Sequence, residues 1–264
     1  MRYKRMIILV ICAFLATVIL TLGCGNPAEE YVVKGESFLK LEQWDEAIAA
    51  YNKAIEIDPN FAKAYLDRGT AYYKKGEKDK TIADCTKAIE LDPTDSHSYS
   101  LRGLAYYDKG DYDKAIADYN KAIEIDPKYT MIYLGRGTAY YKKGEKDKTI
   151  ADCTKAIELD PTDSRSYSLR GMAYYDKGDF DKAIADYNKA IEIDPKYAKA
   201  YLGRGNTYYK KGEYENAIAD FTKAIEISPK DAVSYNNRGF AYNKLGEYSK
   251  ADADFKKAKE LGFK

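Results

Sequence analysis

Two cysteines are the first candidates for chemistry in this chain, because each lies in the same 29-residue stretch. The stretch RGTAYYKKGEKDKTIADCTKAIELDPTDS covers residues 68–96 and again, unchanged, residues 136–164, which places Cys85 and Cys153 68 residues apart. A thiol could serve as a nucleophile, a metal ligand or half of a disulfide, and each role needs a second group within reach. No second ligand accompanies either cysteine, so we expect two buried thiols that act as small apolar side chains.

The other reactive residue types form no catalytic pattern. His97 is the only histidine, and it falls at a helix position that we expect to be exposed. Serines and threonines occur without a positioned base, and an acid pair such as Glu90 and Asp92 is typical of a helix end. The sequence shows no glycine-rich phosphate loop and no metal-ligand spacing. We therefore predict no enzyme activity, no metal site and no cofactor.

The charge balance argues against a nucleic-acid partner. The chain carries 43 Lys and Arg against 42 Asp and Glu, a net charge of +1, whereas nucleic-acid-binding proteins concentrate basic charge. Hydrophobic residues make up 45% of the sequence, which predicts that most of the chain folds.

The N-terminus has the organisation of a secretory signal peptide. Arg2, Lys4 and Arg5 precede an apolar run that ends with small residues before Cys24. A run of this length could also cross a bilayer as an uncleaved anchor. We predict a signal peptide or anchor helix over residues 1–23.

The residues LTLGC, which end at Cys24, resemble the lipobox of bacterial lipoproteins. Leu20 lies one residue further from the cysteine than the leucine of that motif. The resemblance implies that Cys24 is lipidated and that residues 24–27 form a short tether. It also implies a membrane-anchored protein on the extracytoplasmic side of a bacterial cell envelope. A signal anchor without lipid and a plain secreted form are the alternatives.

The rest of the chain repeats every 34 residues. Prolines recur with this step from Pro59 to Pro229, and glycines recur with it from Gly35 to Gly239. Within each repeat, two stretches with helical spacing of apolar residues are separated by a glycine turn, and a proline follows the second stretch. The pattern predicts seven helical hairpins, at residues 28–61, 62–95, 96–129, 130–163, 164–197, 198–231 and 232–264.

This pattern resembles the tetratricopeptide repeat family. The 34-residue length, the aromatic–Gly–aromatic spacing of the first helix, the Ala–aromatic–Ala spacing of the second and the final proline all match that family. The resemblance implies an all-α, right-handed solenoid of antiparallel helix-turn-helix repeats. We call the two helices of each repeat A and B, and we number positions 1–34 within each repeat.

Two charged positions vary together in a way that predicts an ion-pair ladder. Position 7 is arginine in repeats two to seven, where the family usually has leucine, and position 23 is aspartate in the same six repeats. The first repeat has Lys34 and Ala50 instead. We predict Arg–Asp pairs between helices A and B or between neighbouring repeats, and we expect them to be exposed and worth about 0–1 kcal/mol each.

A duplicated two-repeat block explains why the cysteines occur twice. Residues 62–129 and 130–197 differ at only seven positions. Cys85 and Cys153 occupy position 24, where the other five repeats have tyrosine or phenylalanine, and four helix layers are too many for a disulfide to span. Because an aromatic ring is lost there, we expect repeats two and four to be softer than their neighbours.

The family resemblance implies that the A helices line a concave groove, which positions 2, 5, 9, 12 and 13 face. An alternative is that the position-12 tyrosines pack sideways on neighbouring A helices. The carboxylate clamp of family members that bind chaperone tails requires a lysine at position 5, and no repeat has one. At positions 12 and 9 the predicted groove residues are Tyr73, Tyr107, Tyr141, Tyr175, Tyr209, Thr70, Leu104, Thr138, Met172, Asn206 and Phe240.

Taken together, these features predict a membrane-anchored scaffold that binds a protein or an extended peptide and has no catalytic role. A row of tyrosines suits an extended peptide, because tyrosine offers contact area and a hydroxyl at low entropic cost. Two alternatives remain at this point: a self-associating structural protein of the envelope, and an accessory subunit of an envelope or secretion complex.

Overall fold

A computed structural model describes residues 26–263, and within this range it contains fourteen α-helices and no strands. The all-α prediction is therefore confirmed for these residues. The predicted signal or anchor helix and Cys24 lie outside them. The helices are α1 (Pro27–Lys40), α2 (Trp44–Ile57), α3 (Ala62–Lys74), α4 (Lys78–Leu91), α5 (Ser96–Asp108), α6 (Tyr112–Ile125), α7 (Thr130–Lys142), α8 (Lys146–Leu159), α9 (Ser164–Lys177), α10 (Phe180–Ile193), α11 (Ala198–Lys211), α12 (Tyr214–Ile227), α13 (Ala232–Lys244) and α14 (Tyr248–Glu260).

The turns between helices follow from glycine and proline chemistry. Helix α9 ends at Gly178, whose φ of +84° is accessible to glycine without steric cost. Helix α4 ends at Asp92, which has extended dihedrals because the next residue, Pro93, disfavours the helical region. These two signals recur along the chain and set the length of each helix.

The first repeat departs from this rule at Glu42. This residue has a φ of +58°, whereas every later repeat has glycine at the same position. A side chain in this region costs roughly 1–2 kcal/mol. We expect Glu42→Gly to raise the free energy of unfolding by about 1 kcal/mol, measured by chemical denaturation. Glu42→Ala keeps the β-carbon and serves as the control; an equal gain from both variants would rule out this explanation.

The helices form two compact units, which divide within α6 after Lys114. In the first unit, α1 packs against α2, α2 against α3, α3 against α4 and α4 against α5. The A helices also contact each other directly, α1 with α3 and α3 with α5. Its largest fully buried side chains include Val32 and Tyr51, which lie in a core with Ala47, Ala54 and Ala64.

The second unit follows the same order from the rest of α6 to α14. Successive helices pack together from α7 onward, and the A helices α7, α9, α11 and α13 each contact the next A helix. Ala183, Ala190 and Ala200 are completely buried beside Tyr187. Because alanine has a short side chain, helices can approach closely at these positions. The A helices thus form one continuous row in this unit.

None of the helices in residues 26–263 combines the length and apolar character needed to cross a membrane.

Candidate functional site

The Arg–Asp pairs form wherever both members lie in the same unit. In the second unit, the Arg170 guanidinium donates two hydrogen bonds to Asp186, from Nε to Oδ2 and from Nη2 to Oδ1, both at 2.8 Å. Asp186 is only 6% exposed, so the prediction that these pairs are exposed is wrong. The same two-pronged contact joins Arg68 to Asp84, Arg136 to Asp152, Arg204 to Asp220 and Arg238 to Asp254.

Each of these arginines also reaches back to the preceding repeat. Nη1 of Arg170 donates to Thr154 Oγ1 at 3.0 Å, and Nη1 of Arg204 donates to Asn188 Oδ1 at 2.5 Å. Position 25 supplies this acceptor as asparagine or threonine. One arginine therefore links helices A and B of its own repeat and also contacts helix B of the preceding repeat. The contacts within a repeat and between repeats, which the sequence left as alternatives, both occur.

A second set of ion pairs joins neighbouring repeats at the surface. Lys211 on α11 contacts Asp181 on α10 at 2.7 Å, and Lys177 contacts Asp147 in the same way. The Asp181 side chain is 90% exposed, so this pair contributes little to stability. The sequence reading missed this set, although its 30-residue spacing is visible once the repeats are aligned.

Large and small residues alternate where helix B meets the next A helix. The Tyr187 ring lies against Gly203: a β-carbon on that glycine would lie 2.4 Å from Tyr187 Cζ. Tyr119 approaches Gly135 in the same way, at 2.9 Å. One repeat from Tyr187 and Gly203, the equivalent residues are Cys153 and Leu169, and both are buried.

Each cysteine therefore lies at one of two neighbouring positions, position 24 of one repeat and position 6 of the next, where a small side chain accompanies a large one. Cys153 is fully buried, burial raises the pKa of its thiol, and it forms no disulfide, as predicted. The buried Leu169 supplies apolar volume that the missing ring would have filled. In addition, the Thr149 hydroxyl donates to the Gly137 carbonyl at 3.2 Å, which links α8 to α7. That repeats two and four are softer than their neighbours stays a prediction.

Where the first repeat meets the second, the position that corresponds to Gly203 is occupied by Asp67. Burial, and to a smaller degree the nearby carboxylates of Glu36 and Asp95, raise the pKa of Asp67 to about 6, although Lys63 acts in the opposite direction. Among the described residues, Asp67 Oδ2 and the hydroxyl of the fully buried Tyr51 have no hydrogen-bond partner. The first unit thus carries a half-buried acid that holds its proton more tightly than a free aspartic acid does.

This acid gives a pH prediction with a definite sign. Because the pKa of Asp67 is higher in the folded chain than its ordinary value of 3.8, the folded state holds the proton more tightly, and stability falls as the pH rises from about 4 to about 6. We expect Asp67→Asn to raise the free energy of unfolding at pH 7 by about 1–2 kcal/mol and to flatten this part of the pH profile. The exposed Glu46→Gln is the control; identical profiles for Asp67→Asn and the wild type would contradict the prediction.

The second unit contains a groove over the row of A helices. Its main cavity has a volume of about 640 Å³ and lies on α7, α9 and α11, with Tyr187 of α10 at its base. A smaller cavity of about 220 Å³ continues toward α13 and shares two lining residues with the first. Predicted groove residues that line one or both cavities are Thr138, Tyr141, Met172, Tyr175, Asn206, Tyr209 and Phe240.

The position-12 tyrosines of the second unit line the groove and also contact side chains of adjacent helices. The Tyr141 hydroxyl donates to Asp176 of the next A helix at 2.7 Å, while the Tyr175 ring packs on Phe180 with ring centres 5.9 Å apart. Tyr209 packs on Tyr214 in the same manner. Tyr141 thus contacts the neighbouring A helix, whereas Tyr175 and Tyr209 pack on helix B of their own repeat. All three rings are half-buried and line the cavities.

The predicted groove residues of the first unit show the same alternation. Tyr73 donates to Asp108 at 2.7 Å, and Tyr107 packs on Tyr112. Thr70 and Leu104 are half-buried, and the Thr70 hydroxyl donates to the Leu66 carbonyl of its own helix. These four predicted residues line neither of the two cavities described above.

Four exposed apolar side chains lie on the A helices of the second unit. Met131, Met172, Val233 and Phe240 are each between 37% and 48% exposed, and all four occupy position 2 or position 9. These positions vary between repeats, whereas position 12 is tyrosine in each of repeats two to six. The variable positions thus distinguish this groove from the corresponding face of the first unit.

The described residues contain no cluster of His, Cys, Asp and Glu that could hold a metal ion. The His97 side chain is 62% exposed and lies beside Asp95. What the arrangement offers is a binding surface: half-buried phenol rings, exposed apolar side chains, and a few charged groups along the groove.

Comparison with known families agrees with this fold. A family model described as TPR repeat matches residues 35–76, 103–144, 171–212 and 205–246, which together exceed half of the chain. Models described as tetratricopeptide repeat match residues 62–95, 131–163, 85–117, 153–185 and 232–261. The chain therefore belongs to the tetratricopeptide repeat family.

Several solved structures are similar to this chain. A tetratricopeptide repeat protein from Parabacteroides merdae is 23% identical, with a TM-score of 0.72 over 90% of this chain and 94% of that one, which shows the fold alone. YrrB, described as a TPR protein with an unusual peptide-binding site, is 27% identical over 70% of this chain and 95% of its own, with a TM-score of 0.58. MamA is 33% identical over 60% of this chain and 93% of its own, with a TM-score of 0.55. The comparison with curated protein sequences gave no match.

Proposed function

We propose that this protein is a non-enzymatic scaffold that binds an extended segment of a partner protein in the groove of its second unit. The observation that carries the proposal is the continuity of the groove. Two cavities share Tyr175 and Asn206, and exposed apolar side chains accompany them from α7 to α13. Exposed apolar groups of this kind mark interaction sites on soluble domains.

Similarity to a peptide-binding protein supports the same role. YrrB is described as having a peptide-binding site, and it shares the repeat fold over 70% of this chain. The groove tyrosines offer large, rigid contact surfaces with few rotatable bonds, which keeps the entropic cost of binding low. Several such rings along one path suit an extended chain better than a compact ligand.

Capture experiments with matched variants test this role. The full chain is immobilised and exposed to a detergent extract of the cell that produces it. We expect Met172→Glu to lose the retained partner, because it places a charge in the main cavity. Ile125→Glu is the control, because Ile125 is as exposed as Met172, at 37%, but lines neither cavity. Equal retention by both variants would move the site elsewhere, and retention of only the chain itself would favour self-association.

We propose further that lipid on Cys24 anchors the scaffold to the extracytoplasmic side of a bacterial membrane. The support is the LTLGC sequence and its spacing from the fold, since α1 begins at Pro27. A tether of three residues extends about 10 Å at most, so the first repeat would lie close to the bilayer.

Metabolic labelling with a palmitate analogue tests this anchor. We expect the wild-type chain to be labelled and to sediment with membranes, and Cys24→Ser to lose the label. The variant Cys12→Ser is the matched control and should keep the label. A labelled Cys24→Ser variant, or an unlabelled wild type, would exclude lipidation at this residue.

A further inference from the structure

The base of the groove holds a tyrosine hydroxyl that forms no hydrogen bond with the described part of the protein. Tyr187 on α10 is 1% exposed, and it lines the main cavity together with Gly203 of α11. A β-carbon on Gly203 would lie 2.7 Å from the Tyr187 hydroxyl oxygen. No residue in the range 26–263 forms a hydrogen bond with this hydroxyl. The lack of a side chain at Gly203 therefore leaves the hydroxyl as a polar group at the groove floor.

The chemical state of this hydroxyl determines what it can bind. Burial is the main cause that raises the pKa of Tyr187 above its usual range, with smaller contributions from Tyr141, Asp176 and Tyr175. The phenol is therefore neutral at physiological pH and can donate a hydrogen bond. The ring of Tyr187 is buried, but its hydroxyl faces the cavity, so a ligand oxygen placed here could accept its hydrogen bond.

The charged groups around the cavity favour a carboxylate as that acceptor. The cations that line it are Lys142, Arg165 and Lys199, and Asp176 is the one lining carboxylate. Arg165 donates to Asp163 at 2.7 Å, but within residues 26–263 neither Lys142 nor Lys199 forms an ion pair. Lys142 and Lys199 are thus exposed lysines at the edge of the cavity, and no carboxylate of the described chain pairs with either.

Apolar surface lies on both sides of this cationic cavity. Met131 is 43% exposed, and its sulfur accepts a hydrogen bond from Arg165 Nη2 at 3.1 Å. On the other side, Phe240 is 48% exposed and lines the smaller cavity. A ligand that crosses the groove would meet an apolar surface, then the hydroxyl and the lysines, then a second apolar surface.

We infer that the groove binds an internal segment of a partner protein in which an aspartate or glutamate lies between two apolar residues. The acidic side chain accepts a hydrogen bond from the Tyr187 hydroxyl and lies near Lys142 and Lys199. Its apolar neighbours pack on Met131 and Phe240. The inference rests on the proposed peptide-binding role and specifies the chemistry of the segment.

Selection from a phage library of random dodecapeptides tests this pattern. The peptides are joined to the coat protein at their C-termini, so that a free terminal carboxylate cannot account for binding. With the full-length chain as bait, we expect enriched peptides to carry Asp or Glu flanked by apolar residues. Enrichment of peptides without an acidic residue would overturn the inference but leave the peptide-binding role intact. No enrichment at all would overturn both.

Binding of an enriched peptide, followed by fluorescence anisotropy, tests the role of the hydroxyl. Tyr187→Phe should weaken binding at least about tenfold. The free energy of a hydrogen bond to a charged group exceeds the free energy that corresponds to a tenfold change in Kd. Replacing the acidic residue of the peptide with its amide should have a similar effect. Tyr51→Phe is the control, because it removes the equivalent hydroxyl from the first unit and should not change affinity. Unchanged affinity in Tyr187→Phe, with helical content retained, would overturn the inference.

Discussion

Asp186→Ala is expected to lower the free energy of unfolding of this protein by about 3 kcal/mol. The variant removes a carboxylate that is 6% exposed and that accepts two hydrogen bonds from Arg170. Breaking a buried ion pair from one side is costly, because the remaining charge stays in the protein interior without its partner. Arg170 also binds Thr154 of the preceding repeat, so the loss should reach across the repeat boundary.

The control for this variant lies on the same helix. Asp181 also pairs with a cation, Lys211, but its side chain is 90% exposed. We expect Asp181→Ala to cost less than about 1 kcal/mol. Both can be measured by urea denaturation, with hydrogen exchange of α9 and α10 to locate the loss. Equal effects of the two substitutions would mean that the Arg–Asp ladder contributes nothing beyond surface pairing.

The second large effect concerns the size match between Tyr187 and Gly203. We expect Gly203→Leu to cost about 3 kcal/mol, because its β-carbon alone would lie 2.4 Å from Tyr187 Cζ. Tyr187→Cys should cost a similar amount by leaving a cavity in place of a buried ring. Together, the two substitutions recreate the Cys153–Leu169 pair of the preceding repeat boundary.

The double variant is therefore expected to be more stable than either single variant. We expect its free energy of unfolding to return to within about 1 kcal/mol of the wild type, which is a strong coupling between neighbouring residues. Thermal and chemical denaturation of the four proteins provide the measurement. Additive losses in the double variant would show that the alternation of large and small residues has no role in packing.

Much of this architecture could be predicted from the sequence because its signals repeat. The glycine and proline spacing predicted the helical hairpins. The joint variation of positions 7 and 23 predicted that these arginines and aspartates pair, but it left open whether they pair within a repeat or between neighbouring repeats. The burial of Asp186 was missed because a charged residue at one position was assumed to be solvated. The exposure of this aspartate depends on how closely three helices approach one another, and the sequence of a single repeat does not show that distance.

The size match was visible in the sequence but required comparison across repeats. Cys153 and Leu169 belong to different predicted repeats, so reading each repeat alone treated the cysteine as a lost aromatic ring. Comparison of position 24 of one repeat with position 6 of the next shows a pattern: a tyrosine is followed by a glycine, and a cysteine is followed by a leucine. Two boundaries depart from this rule: Phe221 is followed by Asn237, and Tyr51 is followed by Asp67, the half-buried acid with a raised pKa.

The extent of the groove was the least predictable feature. The position-12 tyrosines predicted a groove along the whole array, but they are common to both units and do not separate one from the other. The two cavities described here depend on Met172, Phe240 and Gly203, at positions that differ from repeat to repeat. Local shape of this kind arises from single residues, which a repeat pattern averages out.

Site-specific photo-crosslinking most directly tests the claim that the second unit binds an extended segment. A benzophenone amino acid is placed at residue 131, 172 or 240 along the groove, or at the control residue 189 on the outer side of α10, and the full chain is irradiated in its own cell. The account predicts that the three groove positions crosslink to one partner, at residues that follow each other in order within one short segment. Crosslinks scattered over the partner's surface, or equal crosslinking from residue 189, would contradict it.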